Sequence, residues 1–213
     1  YYQNHKELLE DPDIEAVISI VMRYHTASVA LDILNAGYHL FTEKSMAPTL
    51  DQGERLVAAA KAQNLCFAIG FMRRFDEGVQ EAKRMLDELR ESGELGPVHF
   101  ARVYCFAGGD YCNIDGLVHT DEPKPNHIIW PIAPDWIPER LNKEYENFVN
   151  VNIHDINLIR YLFDQRPKVA SCLYHKSAGS LASLELDNFT GVLEWGAFAT
   201  NRWEEGVEVF FEL

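Results

Sequence analysis

Ala16–Val21 (AVISIV) is an unbroken apolar, β-branched run that follows the turn-forming Asp11-Pro12-Asp13. A run of this kind predicts a strand buried on both faces. Val29, Ala30, Ile33 and Leu34 then recur at helical spacing over Thr26–Ala36, and Gly37 stands where a helix C-cap belongs. Tyr38–Phe41 predicts a second strand, Leu50–Gln63 a helix capped by Thr49, and Leu65–Ile69 a third strand. Strand–helix–strand–helix–strand with short connections is the pattern of a parallel, doubly wound sheet. Phe71–Asp76 marks a boundary. Glu77–Ser92 predicts an amphipathic helix with Val79, Ala82, Leu86 and Leu89 on one face, ended by Gly93. Gly96-Pro97 turns the chain into an alternating strand, His99–Phe106. Residues 107–147 are rich in Gly, Pro, Asp and Trp and predict a long irregular loop, a length usually tied to function or to a lid. Asn152–Phe163 predicts a helix with Ile156, Ile159 and Leu162 inward. Period-two alternation follows in Val169–His175, Leu181–Leu186, Asn188–Trp195, Ala197–Trp203 and Val207–Leu213, predicting an antiparallel sheet.

The fold class is therefore α/β: a truncated Rossmann-type parallel sheet over residues 1–72, then an α+β domain with a large, mostly antiparallel open sheet over residues 73–213. The 213 residues suffice for a core without staples. Their net charge of −14 argues against nucleic acid and anionic membrane as partners. No apolar run reaches the roughly 18 residues of a membrane span. The four cysteines, Cys66, Cys105, Cys112 and Cys172, form no Cys-x-x-Cys pair and read as reduced. The chain starts at Tyr1 without Met and ends at Leu213 inside a predicted strand, so it reads as a piece of a longer protein. A cytoplasmic location is the expectation.

Ligands of open parallel sheets bind beyond the C-terminal strand ends. Here those ends are Val21–His25, Thr42–Ser45 and Gly70–Arg74. Lys44 is placed there to donate a proton or hydrogen bond or to clamp an anion, or else to pair with Glu43 in a solvated loop. Asn150 and Asn152 are good N-caps for the helix at 152–163, Asp155 suits its dipole, and His154 in the same turn is a general base or a capping and packing residue. Arg73 and Arg74 are an anion or carbohydrate contact, or a hinge salt bridge. Trp130, Trp136 and Tyr145 can stack on a sugar face or pin the loop. The spacings of His119, His127, His154 and His175 match no zinc pattern, so no metal is expected. No Gly-x-Ser-x-Gly elbow occurs.

Taken together, several stretches resemble the Gfo/Idh/MocA oxidoreductases in the right order along nearly the whole chain. They are Leu8–Val17, His25 with Ala36-Gly37-Tyr38-His39-Leu40-Phe41-Thr42-Glu43-Lys44, Gly70–Phe75, Ser92–Val98 and Asn150–Phe163. The resemblance implies hydride transfer between NAD or NADP and a sugar, inositol or related polyol, with the open sheet joining homo-oligomers. It implies that His154 takes the substrate hydroxyl proton and Lys44 hydrogen-bonds the same oxygen, with Asn150 the third catalytic residue. His25, Glu43, Lys44 and Arg73 are then expected at the cofactor, and Arg74, Asp155 and Trp130 at the substrate. Three departures stand out. Ser45 replaces a proline and loosens the aim of Lys44. Asn150 replaces an aspartate, a change that removes charge stabilisation of an imidazolium, and Asn157 likewise stands where an aspartate is common. The Gly-x-Gly-x-x-Gly loop and its acidic ribose partner are expected upstream of Tyr1. A non-catalytic sugar or dinucleotide sensor and an NAD-dependent glycosidase are the alternatives on the same fold.

Overall fold

The computed structural model describes residues 1–108, 121, 130–176, 178–198 and 203–213. The chain divides into two compact units, Tyr1–Phe71 with Glu122–Val151, and Met72–Asp121 with Asn152–Leu213. The sequence division after residue 72 assigned residues 122–151 to the second part. The contacts of the described residues 130–151 place these with the first.

The first unit holds the parallel sheet β1 (Ala16–Ser19), β2 (His39–Glu43) and β3 (Phe67–Gly70), in that spatial order. The register pairs Ile18 with Phe41 and Phe41 with Ala68. A short helix α1 (His5–Leu8) precedes it, capped by Asn4. Helices α2 (Arg23–Asn35) and α3 (Leu50–Ala62) join the strands and bury one apolar cluster: Val29, Ala30, Ile33, Leu34, Leu40, Leu56 and Ala60. Thr49 caps α3 as its position predicted, accepting from the Gln52 amide. Gly37 turns the chain at φ +90°. β1 is not buried on both faces: Ile18 is 71% exposed, and Phe41 on β2 is 46% exposed.

The long stretch before residue 147 is not irregular throughout. Its described end forms α5 (Asn142–Val151). The signal for α5 was the spacing of Tyr145, Phe148 and Val149, hidden beside the Pro- and Trp-rich run.

The second unit opens with a 3-10 turn (Met72–Phe75) and α4 (Glu77–Ser92). Asp76 caps α4 through the Gly78 and Val79 amides, and Gly93 ends it in the left-handed region at φ +66°. Helix α6 (Ile153–Phe163) packs on a five-stranded sheet of β4 (Val98–Gly108), β5 (Lys168–Leu173), β6 (Ser180–Glu185), β7 (Thr190–Phe198) and β8 (Glu204–Phe211), ordered β5-β6-β7-β4-β8. The sheet is mixed, because β4 runs parallel to β7 and antiparallel to β8. Ala101, Val103 and Cys105 face the core with Leu86, Ile159, Leu162, Phe163, Ala182, Leu184 and Leu193.

The predicted strands at 188–195 and 197–203 are not separate: β7 runs through Gly196 to Phe198. A Cβ at Gly196 would meet the Phe198 ring at 2.9 Å, so the glycine makes room for an aromatic rather than ending the strand. Among the described residues no helix is long and apolar enough to cross a membrane.

Candidate active site

In the first unit, the loop after β2 carries Lys44 to the C-terminal edge of the parallel sheet. Its Nζ donates to the backbone carbonyl of Asn150 at 2.6 Å and to Asn150 Oδ1 at 2.9 Å. The Lys44–Ser45 peptide is cis, although a serine follows the lysine. Two further contacts hold α5 so that Asn150 reaches this point. Tyr145 donates its hydroxyl to the Pro48 carbonyl at 2.8 Å, and Arg23 Nε donates to Glu146 Oε1 at 2.8 Å. Burial pushes the Tyr145 phenol up, so it remains a donor. Arg23, Tyr24, Ser45, Glu146 and Asn150 line a shallow cleft, open at its mouth.

Asn150 is therefore a holder of Lys44 inside α5, not a helix cap. Asn152 does not cap either: it makes no side-chain bond to the start of α6 and donates instead to Asp155 Oδ2 at 3.3 Å.

At the same sheet edge Ser19 and Thr26 are 5% and 1% exposed, and their hydroxyl oxygens find no hydrogen-bond partner among the described residues. α2 begins at Met22 without a side-chain cap or an acidic first-turn residue. Unsatisfied buried hydroxyls beside uncapped helix amides fit a ligand rich in phosphate and hydroxyl groups. His25 lies in this turn, with Tyr24 edge-on at 4.6 Å. Glu43 ends β2, and a Cβ at Gly70 of β3 would stand 3.8 Å from its Oε1.

In the second unit, His154 lies in the first turn of α6. Asp155, next to it, is 2% exposed and accepts from Arg73 Nη1 at 3.1 Å. Arg73 Nη2 donates to Glu205 at 2.5 Å. Arg74 Nε donates to Asn157 Oδ1 at 2.6 Å, and its guanidinium lies 5.3 Å from the Tyr161 ring centroid. Both arginines thus tie the 3-10 turn to α6 within the second unit. Arg73 at the cofactor, and Arg74 and Asp155 at the substrate, gain no support from these contacts, since each side chain is engaged within its own unit.

Burial pushes the Asp155 carboxyl up to about 6, with Arg73 opposing part of that rise. Burial also pushes the Cys105 thiol up to about 12. Cys105, Asp155 and Glu205 present ligand-type atoms within 4.8 Å of one another. The Arg73 guanidinium bonds both carboxylates of this set and the thiol stays protonated, so the group works as an ion pair with its neighbours.

Of the loop aromatics, Trp130 is half-buried. It packs against the first unit's core beneath Arg55, whose guanidinium is 4.4 Å from the ring centroid. His119, His127 and Cys112 lie outside the described residues. Sequence reasoning missed Arg23 and Glu146, because their pairing depends on α5.

Residues 1–71 match the family model described as "Oxidoreductase family, NAD-binding Rossmann fold" (GFO_IDH_MocA). The chain matches this model over its N-terminal third. It is similar to the inositol 2-dehydrogenase/D-chiro-inositol 3-dehydrogenase of Lacticaseibacillus casei, 26% identical over 91% of this chain and 57% of that protein. It is likewise similar to the myo-inositol 2-dehydrogenase of Thermotoga maritima, 28% identical over 98% of this chain and 58% of that protein. The fold matches the crystal structure of myo-inositol dehydrogenase from Lactobacillus casei in complex with NAD(H) and myo-inositol. There the TM-score is 0.73 at 22% identity, over 99% of this chain and 56% of that one. The chain thus spans a little over half the length of those relatives, and the likeness to the solved structure is one of fold.

Proposed function

We propose that the protein carrying this chain is an NAD(P)-dependent oxidoreductase that acts on an inositol or a related polyol. The observation that carries the reading is the amine of Lys44 at the C-terminal edge of the parallel sheet, held by two oxygens of Asn150. An amine fixed there is pre-oriented, so little freedom is lost when it hydrogen-bonds a substrate oxygen. His154 takes the hydroxyl proton, since an imidazole titrates near neutrality and serves as a general base there. Lys44 donates to a substrate oxygen and stabilises the negative charge that develops there. Nicotinamide, when bound, supplies the hydride chemistry. Ser19, Thr26 and the start of α2 would hold part of that cofactor, as their unsatisfied polar groups fit it.

Asn150 favours a second reading, a sensor that binds the same ligands without turnover. A neutral amide in that position orients its partners but cannot stabilise an imidazolium by charge.

The open face of the second unit's sheet carries Phe100, Tyr104, Phe106, Phe198 and Phe210 around Arg102, which donates to Glu194 at 2.8 Å and Glu208 at 3.1 Å. A face of this kind suits pairing with a second copy, and homo-oligomers through it are part of the proposal, as is a cytoplasmic location.

The test titrates NADH and NADPH into the intact protein by fluorescence, then follows nicotinamide absorbance across a panel of inositols and sugars. Binding with turnover supports the oxidoreductase. Binding without turnover supports the sensor. Absence of binding overturns both.

A further inference from the structure

The first turn of α6 lacks a side-chain cap. Asn152, at its start, has helical backbone angles and makes no capping bond. The fixed point is one residue past His154. Asp155 is 2% exposed and is reached by Arg73 from the 3-10 turn and by Asn152. The same guanidinium holds Glu205 on β8, which also accepts from Trp203 Nε1 at 2.6 Å and faces the thiol of Cys105 on β4 at 3.9 Å. Three elements that are distant in sequence therefore converge on one buried side chain of α6.

A carboxylate is a poor choice if holding the helix down were the only requirement. Its burial is costly, as the upward displacement of its titration shows. An apolar side chain of similar volume commonly gives equal or greater stability at such a place. What the guanidinium adds is direction, because its two terminal nitrogens bond Asp155 and Glu205 at once and its planar fork fixes where each carboxylate lies. Successive side chains on an α-helix project about 100° apart. Fixing the azimuth of Asp155 therefore fixes that of His154.

We propose that Asp155, gripped by the guanidinium that Arg73 shares with Glu205, is a positioning residue that sets the rotation of α6 and so the direction in which His154 projects. The proposal rests on the reading of His154 as the proton-transfer residue. It assigns no contact with substrate to Asp155, Arg73 or Glu205.

The experiment compares the intact protein with its Asp155→Asn and Arg73→Lys variants. Asp155→Asn keeps the shape and removes the charge. Arg73→Lys keeps the charge and removes the fork, and serves if the first variant does not fold. Circular dichroism checks folding. The imidazole resonance of His154, assigned by loss in His154→Gln, is followed by NMR across pH, and turnover of myo-inositol is measured with NAD and NADP.

In a folded variant the His154 line broadens or its titration midpoint moves. The kcat falls by about 100-fold, the scale of a misplaced reacting group, with KM within about threefold. An unchanged line shape and midpoint in a folded variant overturn the proposal, whatever the activity. A wild-type protein that binds no nicotinamide nucleotide overturns the oxidoreductase reading instead, and the resonance still decides whether the lock orients His154.

Discussion

Replacing Asp155 by asparagine should change how the stability of the protein responds to pH, and the sign of that change is fixed by the structure. The carboxyl is 2% exposed, and burial outweighs the attraction of Arg73, raising it from an ordinary 3.8 to about 6. Between those two values the folded protein keeps a proton that the unfolded chain has released. The group therefore contributes stability that is fully present below pH 3.8 and is lost as pH rises through about 6. At about 1.36 kcal/mol per pH unit, the gap corresponds to about 3 kcal/mol. The asparagine variant lacks this proton, and all other titrating groups cancel when the two proteins are compared. Urea unfolding read by tryptophan fluorescence gives both stabilities at intervals from pH 4 to pH 7. The wild type minus variant difference should fall by about 2–3 kcal/mol across that range. A constant difference would mean that the carboxyl is not buried as described. A difference that grows with pH would mean that Arg73 outweighs burial and that the physical account is reversed.

Three other outcomes are expected. Lys44→Ala and His154→Ala in the intact protein should each lower kcat about 100-fold or more, the usual scale of acid–base catalysis, while the NADH dissociation constant stays within about threefold. Wild-type turnover in either variant refutes that residue's role. Leu56→Ala, at a fully buried position of the first unit's core, should cost about 3 kcal/mol in urea unfolding, and less than 1 kcal/mol would show that the cluster repacks freely. Gly206→Ala should cost about 1–3 kcal/mol by the same measurement, because its Cβ would meet the Tyr104 hydroxyl at 2.7 Å.

The parallel unit was legible because its signals are local. A β-branched run, a threonine cap, a glycine after a helix and a second apolar run each specify their own few residues. They also placed Lys44 at the sheet edge. The mixed sheet was less legible because its central pairing is not local. β4 pairs with β7 through Phe100 and Thr190, and with β8 through Arg102 and Glu208, and period-two alternation says nothing about the direction of a distant partner. Gly196 looked like a strand end because only the Phe198 ring above it explains why it is there. The double arginine was ambiguous for the same reason. Arg73 and Arg74 are engaged by Asp155 and Asn157, one turn into α6, and nothing near residues 73 and 74 in sequence says so.

The position of β8 sets an order of events during synthesis. Cys105 on β4 and Glu205 on β8 are 100 residues apart. At about 5–20 residues per second, that separation takes roughly 5–20 s to translate. Arg73 and Asp155 both leave the ribosome before Glu205 exists, so the guanidinium first meets one carboxylate and only later the second. Through the same interval β4 has neither of its neighbours β7 and β8, and the unpaired N–H and C=O groups along its edges are open to any other strand. The time at which a nascent chain is most exposed to mispairing is thus also the time before the anchor beside His154 is complete, and a slow codon or a bound chaperone near residue 200 would act on both.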